Sequence, residues 1–182
     1  MRTHRITAAL CAALLLTATG CTMTHPGSPQ PTASADINDQ LMAWPSLEET
    51  KRQLEGVVDE ISTVASTIVP GLTFGDFHGE SGLKCDGPYA DTAARGRYLP
   101  DRAGEDATVS EEQWAKVLDV AKAAAAKVGA MDVQVMKDNP GDHDVWFTGP
   151  GGIAIKLSSR VNLVISGYTG CRLLEEDRVS GR

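Results

Sequence analysis

The sequence predicts an α+β fold: two helices packed on one face of an antiparallel meander sheet of four to five strands, with one disulfide. Three observations predict it. Two stretches repeat apolar residues at three- and four-residue intervals, and each opens on a capping signal. Beyond Gly129 the apolar period becomes two, the signature of half-buried strands. Two cysteines, Cys85 and Cys171, fall inside the same region.

The chain before this region has other chemistry. Arg2 and Arg5 make a positive start, no acid occurs before Asp36, and Ile6 to Leu16 is almost wholly apolar. That core is shorter than the ~20 residues a membrane-spanning helix needs, so residues 1–20 read as a secretory signal. The stretch Thr17-Ala18-Thr19-Gly20-Cys21 resembles a lipobox, with Ala18 where Leu is commoner. The resemblance implies cleavage before Cys21 and acylation of its sulfur, making the membrane a partner through a lipid anchor. Two chains hold stably where one holds marginally, at roughly 0.8 kcal/mol per buried methylene. An ordinary secretory signal with a chance cysteine is the competing reading.

Removing the signal takes away two arginines and no acid, moving the net charge from -7 to -9. So acidic an exported domain argues against nucleic acid, or an anionic lipid surface, as a partner of its overall field. Residues 21–45 carry the lipidated cysteine and a Pro/Ser/Thr-rich stretch with few large apolar groups, which reads as a flexible tether. Residues 46–174 form one domain by length, and 175–182 a polar tail. In an oxidising compartment Cys85 and Cys171 are expected to pair, with two free thiols or a redox pair as the alternatives. Redox chemistry normally wants Cys-x-x-Cys spacing, which is absent.

Within the domain, Ser46 and Glu49 have capping-box spacing ahead of the stripe Leu54, Val57, Val58, Ile61, Ala65 and Ile68; Pro70-Gly71 stops it. Ser110 and Gln113 open a second helix with the stripe Trp114, Val117, Leu118, Ala121, Ala125 and Val128, closed by Gly129. Val133 and Val135, then Val145 to Thr148, then Ile153, Ile155 and Leu157, then Val161, Leu163 and Ile165 predict four consecutive strands. Asp138 to Asp142 and Gly149-Pro150-Gly151-Gly152 supply turns. Between the helices, Gly71 to Val109 is rich in Gly, Asp, Arg and Pro, with one further strand expected around Leu83 to Ala90. Cys171 would then staple this segment to the sheet.

Candidate chemistry is sparse. The loop Gly75 to Gly82 gathers Asp76, His78, Glu80 and Ser81, which invites a hydrolase reading. It lacks the Gly-x-Ser-x-Gly elbow, however, and triad members rarely sit so close in sequence. Asp142-His143-Asp144 offers three metal ligands, but adjacent residues of an extended chain point to opposite sides, and a solvated turn is the simpler reading. No catalytic residue, metal site or cofactor is assigned. Trp114 and Trp146 read as core anchors and Trp44 as partly exposed; Arg95, Arg97 and Arg102 form a basic island.

Taken together, several features resemble the LppA/LppB/LppV-like lipoproteins of mycobacteria and related actinobacteria. They are the lipobox, the tether, Cys85-Asp86, the capped helix bearing Trp114, and the ending Gly151-Gly152, Ser158-Ser159, Asn162 and Thr169-Gly170-Cys171-Arg172. The resemblance implies a membrane-attached surface lipoprotein and brings no catalytic residues. The leading expectation is therefore a lipid-anchored, non-catalytic binding module on the extracytoplasmic face of the cell membrane, its partner an envelope protein or a small apolar ligand. The alternatives are an envelope hydrolase using the Gly75–Gly82 loop (His78 with Ser81 or an acidic residue), or a structural subunit of a membrane complex.

Overall fold

The computed structural model describes residues 34–180. The signal, Cys21 and the tether as far as residue 33 lie outside them. Four helices, α1 (Ser34–Ala43), α2 (Leu47–Ile68), α3 (Glu111–Ala126) and α4 (Glu175–Ser180), accompany eight strands. These are β1 (Thr73–Phe77), β2 (Ser81–Lys84), β3 (Arg95–Tyr98), β4 (Asp101–Glu105), β5 (Asp132–Asn139), β6 (Asp142–Thr148), β7 (Ala154–Ser159) and β8 (Leu163–Tyr168). The order across the antiparallel sheet is β1-β4-β8-β7-β6-β5, and the β2-β3 hairpin joins it where Tyr98 meets Tyr168.

The α+β class and the meander β5-β6-β7-β8 agree with the sequence; the number of elements does not. Two helices and four to five strands were expected, and four helices and eight strands are present. The additional strands β1, β3 and β4 lie in the Gly/Asp/Arg-rich stretch. All five residues of β1 but Phe74 are exposed, as is every residue of β2, so no apolar alternation marks them. Their backbones are satisfied by pairing alone, Thr73 to Phe77 against Glu105 to Asp101. The segment Gly75 to Gly82 is accordingly two strand ends and the turn between them rather than one loop.

Capping follows the sequence closely. Ser110 Oγ accepts from the Gln113 amide, and Gln113 returns the bond to the Ser110 amide, satisfying two otherwise free donors. At α2 only half of the box forms. Ser46 Oγ accepts from the Glu49 amide at 3.2 Å, while the Glu49 carboxylate turns to Arg52 and Gln53. The main core lies between α2 and α3 and one sheet face. Leu54, Val57, Ile61 and Ala65 of α2 and Trp114, Val117 and Ala121 of α3 meet Val145, Phe147, Ile155, Leu157, Leu163 and Ile165.

Both ends depart from the sequence reading. Within the stretch read as tether, α1 is ordered, and Leu41 is fully buried beside Cys85, Ala94, Cys171 and Leu173. Within the tail, α4 is helical, and the Arg178 guanidinium donates to the carbonyls of Leu41, Met42 and Trp44 at the end of α1. Leu47 N–H donates to Leu173 O at 2.8 Å, and Glu175 N–H to the Glu48 carboxylate at 3.0 Å. The cover for α1 comes from far along the chain, up to 137 positions away for Arg178 and Leu41, which no local pattern announces. Cys85 and Cys171 are bonded to each other within this second, smaller core, tying the end of β2 to the segment after β8.

Candidate binding surface on the outer sheet face

In a strand, successive side chains point to opposite faces, so the inward residues of the meander fix the outward ones. Val145 and Phe147 are buried under the helices, which sends Trp146 to the other side. The same logic sends out Lys156 between Ile155 and Leu157, and Ser166 beside Ile165. Pairing aligns them in one row, Gln134–Trp146–Lys156–Ser166, continued by Asp101, whose carboxylate accepts from Ser166 Oγ. Tyr98, Tyr168, Ala154 and Thr148 form the neighbouring row.

Among the described residues no helix covers this face at its centre, and it is dished. Ala154, Ser166 and Gly167 are small and make a floor; Tyr98, Tyr168, Trp146 and Lys156 stand around it, with Asp101 at the rim. The depression holds about 250 Å³. Tyr98 and Tyr168 stack with centroids 4.6 Å apart. Tyr168 fits because Gly96 faces its hydroxyl: a Cβ there would come within 2.9 Å of the phenol oxygen. Burial, helped by Tyr98 and Asp86, pushes the Tyr168 phenol above its ordinary pKa, so it stays a neutral donor. Trp146 Nε1 donates to Asp144 at 2.9 Å, and Lys156, paired with Asp144 at 3.3 Å, lies 5.5 Å from the indole centroid. Indole, carboxylate and ammonium thus hold one another in place.

The groups singled out in the sequence fall elsewhere. His78 Nδ1 sits 3.3 Å from Asp101, whose other oxygen takes the Ser166 hydroxyl; Ser81 pairs across the ladder with Tyr98 and makes no hydrogen bond with His78. The order is His–Asp–Ser, with the carboxylate in the middle, so no imidazole touches the hydroxyl it would have to deprotonate. Asp142, His143 and Asp144 belong to β6 rather than to the turn, and they diverge. Asp142 and Asp144 pair with Lys137 and Lys156, while His143 is 5% exposed and stacks on Trp114 at 4.6 Å. Among the described residues no three His, Cys, Asp or Glu side chains are grouped to hold a metal ion. The basic island disperses: Arg102 pairs with Asp76 and Asp59, Arg97 with Glu80, and Arg95 donates to the carbonyls of Ala93 and Ala94.

Trp114 is a core residue as expected, whereas Trp146, expected there too, belongs to the outer face. The period of two between Val145 and Phe147 already carried that signal. Tyr98 and Asp101 could not be placed, since the strands that bring them were not legible. Gly149 to Gly152 is the turn the sequence indicated, and Gly170 approaches it so closely that a Cβ would lie 2.1 Å from Gly151 O. Among the described residues no helix is long and apolar enough to cross a membrane.

Residues 13–175 match the family LppA, described as a lipoprotein confined to pathogenic Mycobacterium. Among solved structures, the chain is similar to the lipoprotein LppA from Mycobacterium tuberculosis. The two are 19% identical with a TM-score of 0.61, over 81% of this chain and 95% of that one. It is also similar to a DUF4853 family protein from Actinomyces odontolyticus, at 16% identity and a TM-score of 0.53, over 73% and 72% of the two chains. At such identities the likeness is one of fold. No curated protein matches the sequence. With residues 13–175 matched, well over half of its length, the chain belongs to the LppA family of lipoproteins.

Proposed function

We propose that this lipoprotein is a non-catalytic binding module of the cell envelope, cut before Cys21, acylated there, and presenting the dished outer face of its sheet to a ligand. The observation that carries the reading is the depression itself. It is an aromatic-walled, polar-rimmed surface on a rigid sheet, the usual make-up of a recognition site, whereas His78 and Ser81 do not assemble a nucleophile. Family membership supports the lipid anchor. From Cys21 to Ser34 the chain makes thirteen residue-to-residue steps, which even fully extended reach only about 45 Å. An anchored domain would therefore work close to the membrane surface.

The anchor is tested by mass spectrometry of the mature protein from its native membrane, which should show diacylglyceryl on the Cys21 sulfur. Cys21→Ser should shift most of the protein from the membrane fraction into the medium. An unmodified Cys21 in membrane-bound protein would remove the anchoring half of the proposal. The binding half is tested by photo-crosslinking from position 156 in intact cells. A discrete envelope adduct is expected, and crosslinking no stronger than from an exposed α3 position such as Lys116 would count against it.

A further inference from the structure

We infer that the outer-face depression takes a saccharide segment, a sugar ring laid against its aromatic wall. This deepens the binding-module reading and rests on it.

The ligand class follows from the shape and the lining. A pyranose ring is flat, has apolar C–H faces, and is edged all round with hydroxyls that both donate and accept. The depression offers the complement of each property. Its walls are aromatic planes, the stacked pair Tyr98–Tyr168 on one side and the Trp146 indole on the other. Its floor is small, Ala154, Ser166 and Gly167, so a rigid ring can sit down between the walls. Its lining carries acceptors and donors together: the Asp101 carboxylate, the Ser166 hydroxyl, the Lys156 ammonium and the Tyr168 phenol. Lys156 is paired with Asp144, and Asp101 accepts from the Ser166 hydroxyl, so the lining carries no excess of positive charge to draw a phosphate or an acidic peptide, and a neutral, polyhydroxylated ligand fits it better.

The same features disfavour an acyl chain. A lipid tail needs a closed apolar sleeve that buries most of its length, and this site is an open dish of about 250 Å³ with two carboxylates and an amine in or beside it. At that size it grips one ring of a longer chain, and the chain would leave at either end along the uncovered face. A single subsite of this kind binds weakly, and anchoring beside a polymeric glycan would compensate by raising the effective concentration.

The test uses the full mature chain with Cys21→Ser, so that acylation does not enter. Its tryptophan fluorescence is titrated with chitotetraose, maltotetraose and mannotetraose, and separately with lauric acid. At least one tetrasaccharide is expected to saturate the signal in the micromolar to low-millimolar range. Tyr98→Ala, at an exposed position, and Trp146→Ala (followed by calorimetry) should each weaken that binding tenfold or more, with circular dichroism unchanged. Lys116→Ala, on the far side of the helices, should leave it alone. If Trp146→Ala fails to fold, Tyr98→Ala and Lys156→Ala decide. Saturable binding of lauric acid alone at this face would overturn the saccharide class while leaving a binding surface. Binding of no sugar up to 10 mM on the order of the weakest single-site affinities, or sugar binding indifferent to Tyr98 and Trp146, would overturn the inference. A crosslinked protein partner at position 156 would then show that the broader reading survives it.

Discussion

His143 shows how far a single side chain can depart from its local sequence. Flanked by two aspartates beside a turn, it reads as solvated, yet it is buried flat against Trp114, with Asp138 3.1 Å from one ring nitrogen and Glu111 3.1 Å from the other. Glu111 also accepts from the Gly141 amide at 2.7 Å, so one carboxylate at the start of α3 holds both the imidazole and the β5-β6 turn. His143→Ala should lower unfolding stability in urea by about 2 kcal/mol, losing ring stacking and hydrogen bonds to charged groups. His143→Phe keeps the stack and should cost only about 1 kcal/mol, since both carboxylates can hydrate. Equal losses would show that stacking contributes nothing. By sequence, His143 falls in the turn ahead of a strand opening at Val145, although it shares the parity of the buried Val145 and Phe147. Its partners are not legible there either, because Glu111 lies 32 residues away.

At the scale of elements, the sequence reads best where a periodic stripe meets a cap. Both long helices and the four strands of the meander have that property. Where an element is held mainly by long-range pairing, as β1 and β4 are, with Phe74 packed on the core and Ala103 buried as their only enclosed apolar side chains, the sequence carries no comparable mark. Helix α1 is the instructive case: its apolar residues Ile37, Leu41 and Met42 are too few to define a stripe, and its last carbonyls are capped by Arg178 from the opposite end of the chain. Arg178→Ala should therefore loosen α1 selectively. Amide exchange in Ile37 to Ala43 should rise by tenfold or more, about 1.5 kcal/mol of local stability, while amides of β7 and β8 exchange as before. Uniform acceleration across the sheet would mean that α1 is part of the global cooperative unit. A truncation beginning at residue 46, the boundary that composition suggests, would strip this helix from the small core.

For the whole molecule, two cores are joined through one sheet, and the smaller carries the covalent link. Cys85 and Cys171 are 86 residues apart, a loop whose closure is worth about 4 kcal/mol in a chain-entropy estimate. Reduction, or Cys85→Ala with Cys171→Ala, should lower the midpoint of thermal unfolding by 10 °C or more for a domain of this size. Tryptophan fluorescence should report the change first around Trp44, which lies under Arg172 in the same core. A shift under two degrees would show that packing of Leu41 and Leu173 suffices. Buried in that core, Arg172 has its pKa lowered to about 10. It remains charged at neutral pH, donating to the carbonyls of Cys171, Gly151 and Pro150. The pairing of the cysteines is where sequence and structure agree, whereas nothing in the sequence marked the polar knot around Arg172.

The clasp of Arg178 on α1 also decides how the molecule would bear load. If the chain is held through Cys21 as proposed, any pull against that anchor enters the domain at its amino end. Tension entering at Ser34 would pass from α1 through the Arg178 clasp to the carboxyl-terminal segment and, across the sulfur bridge, to the end of β2. The few hydrogen bonds of that clasp would yield before the continuous ladders of the sheet, as a mooring line gives before the hull does.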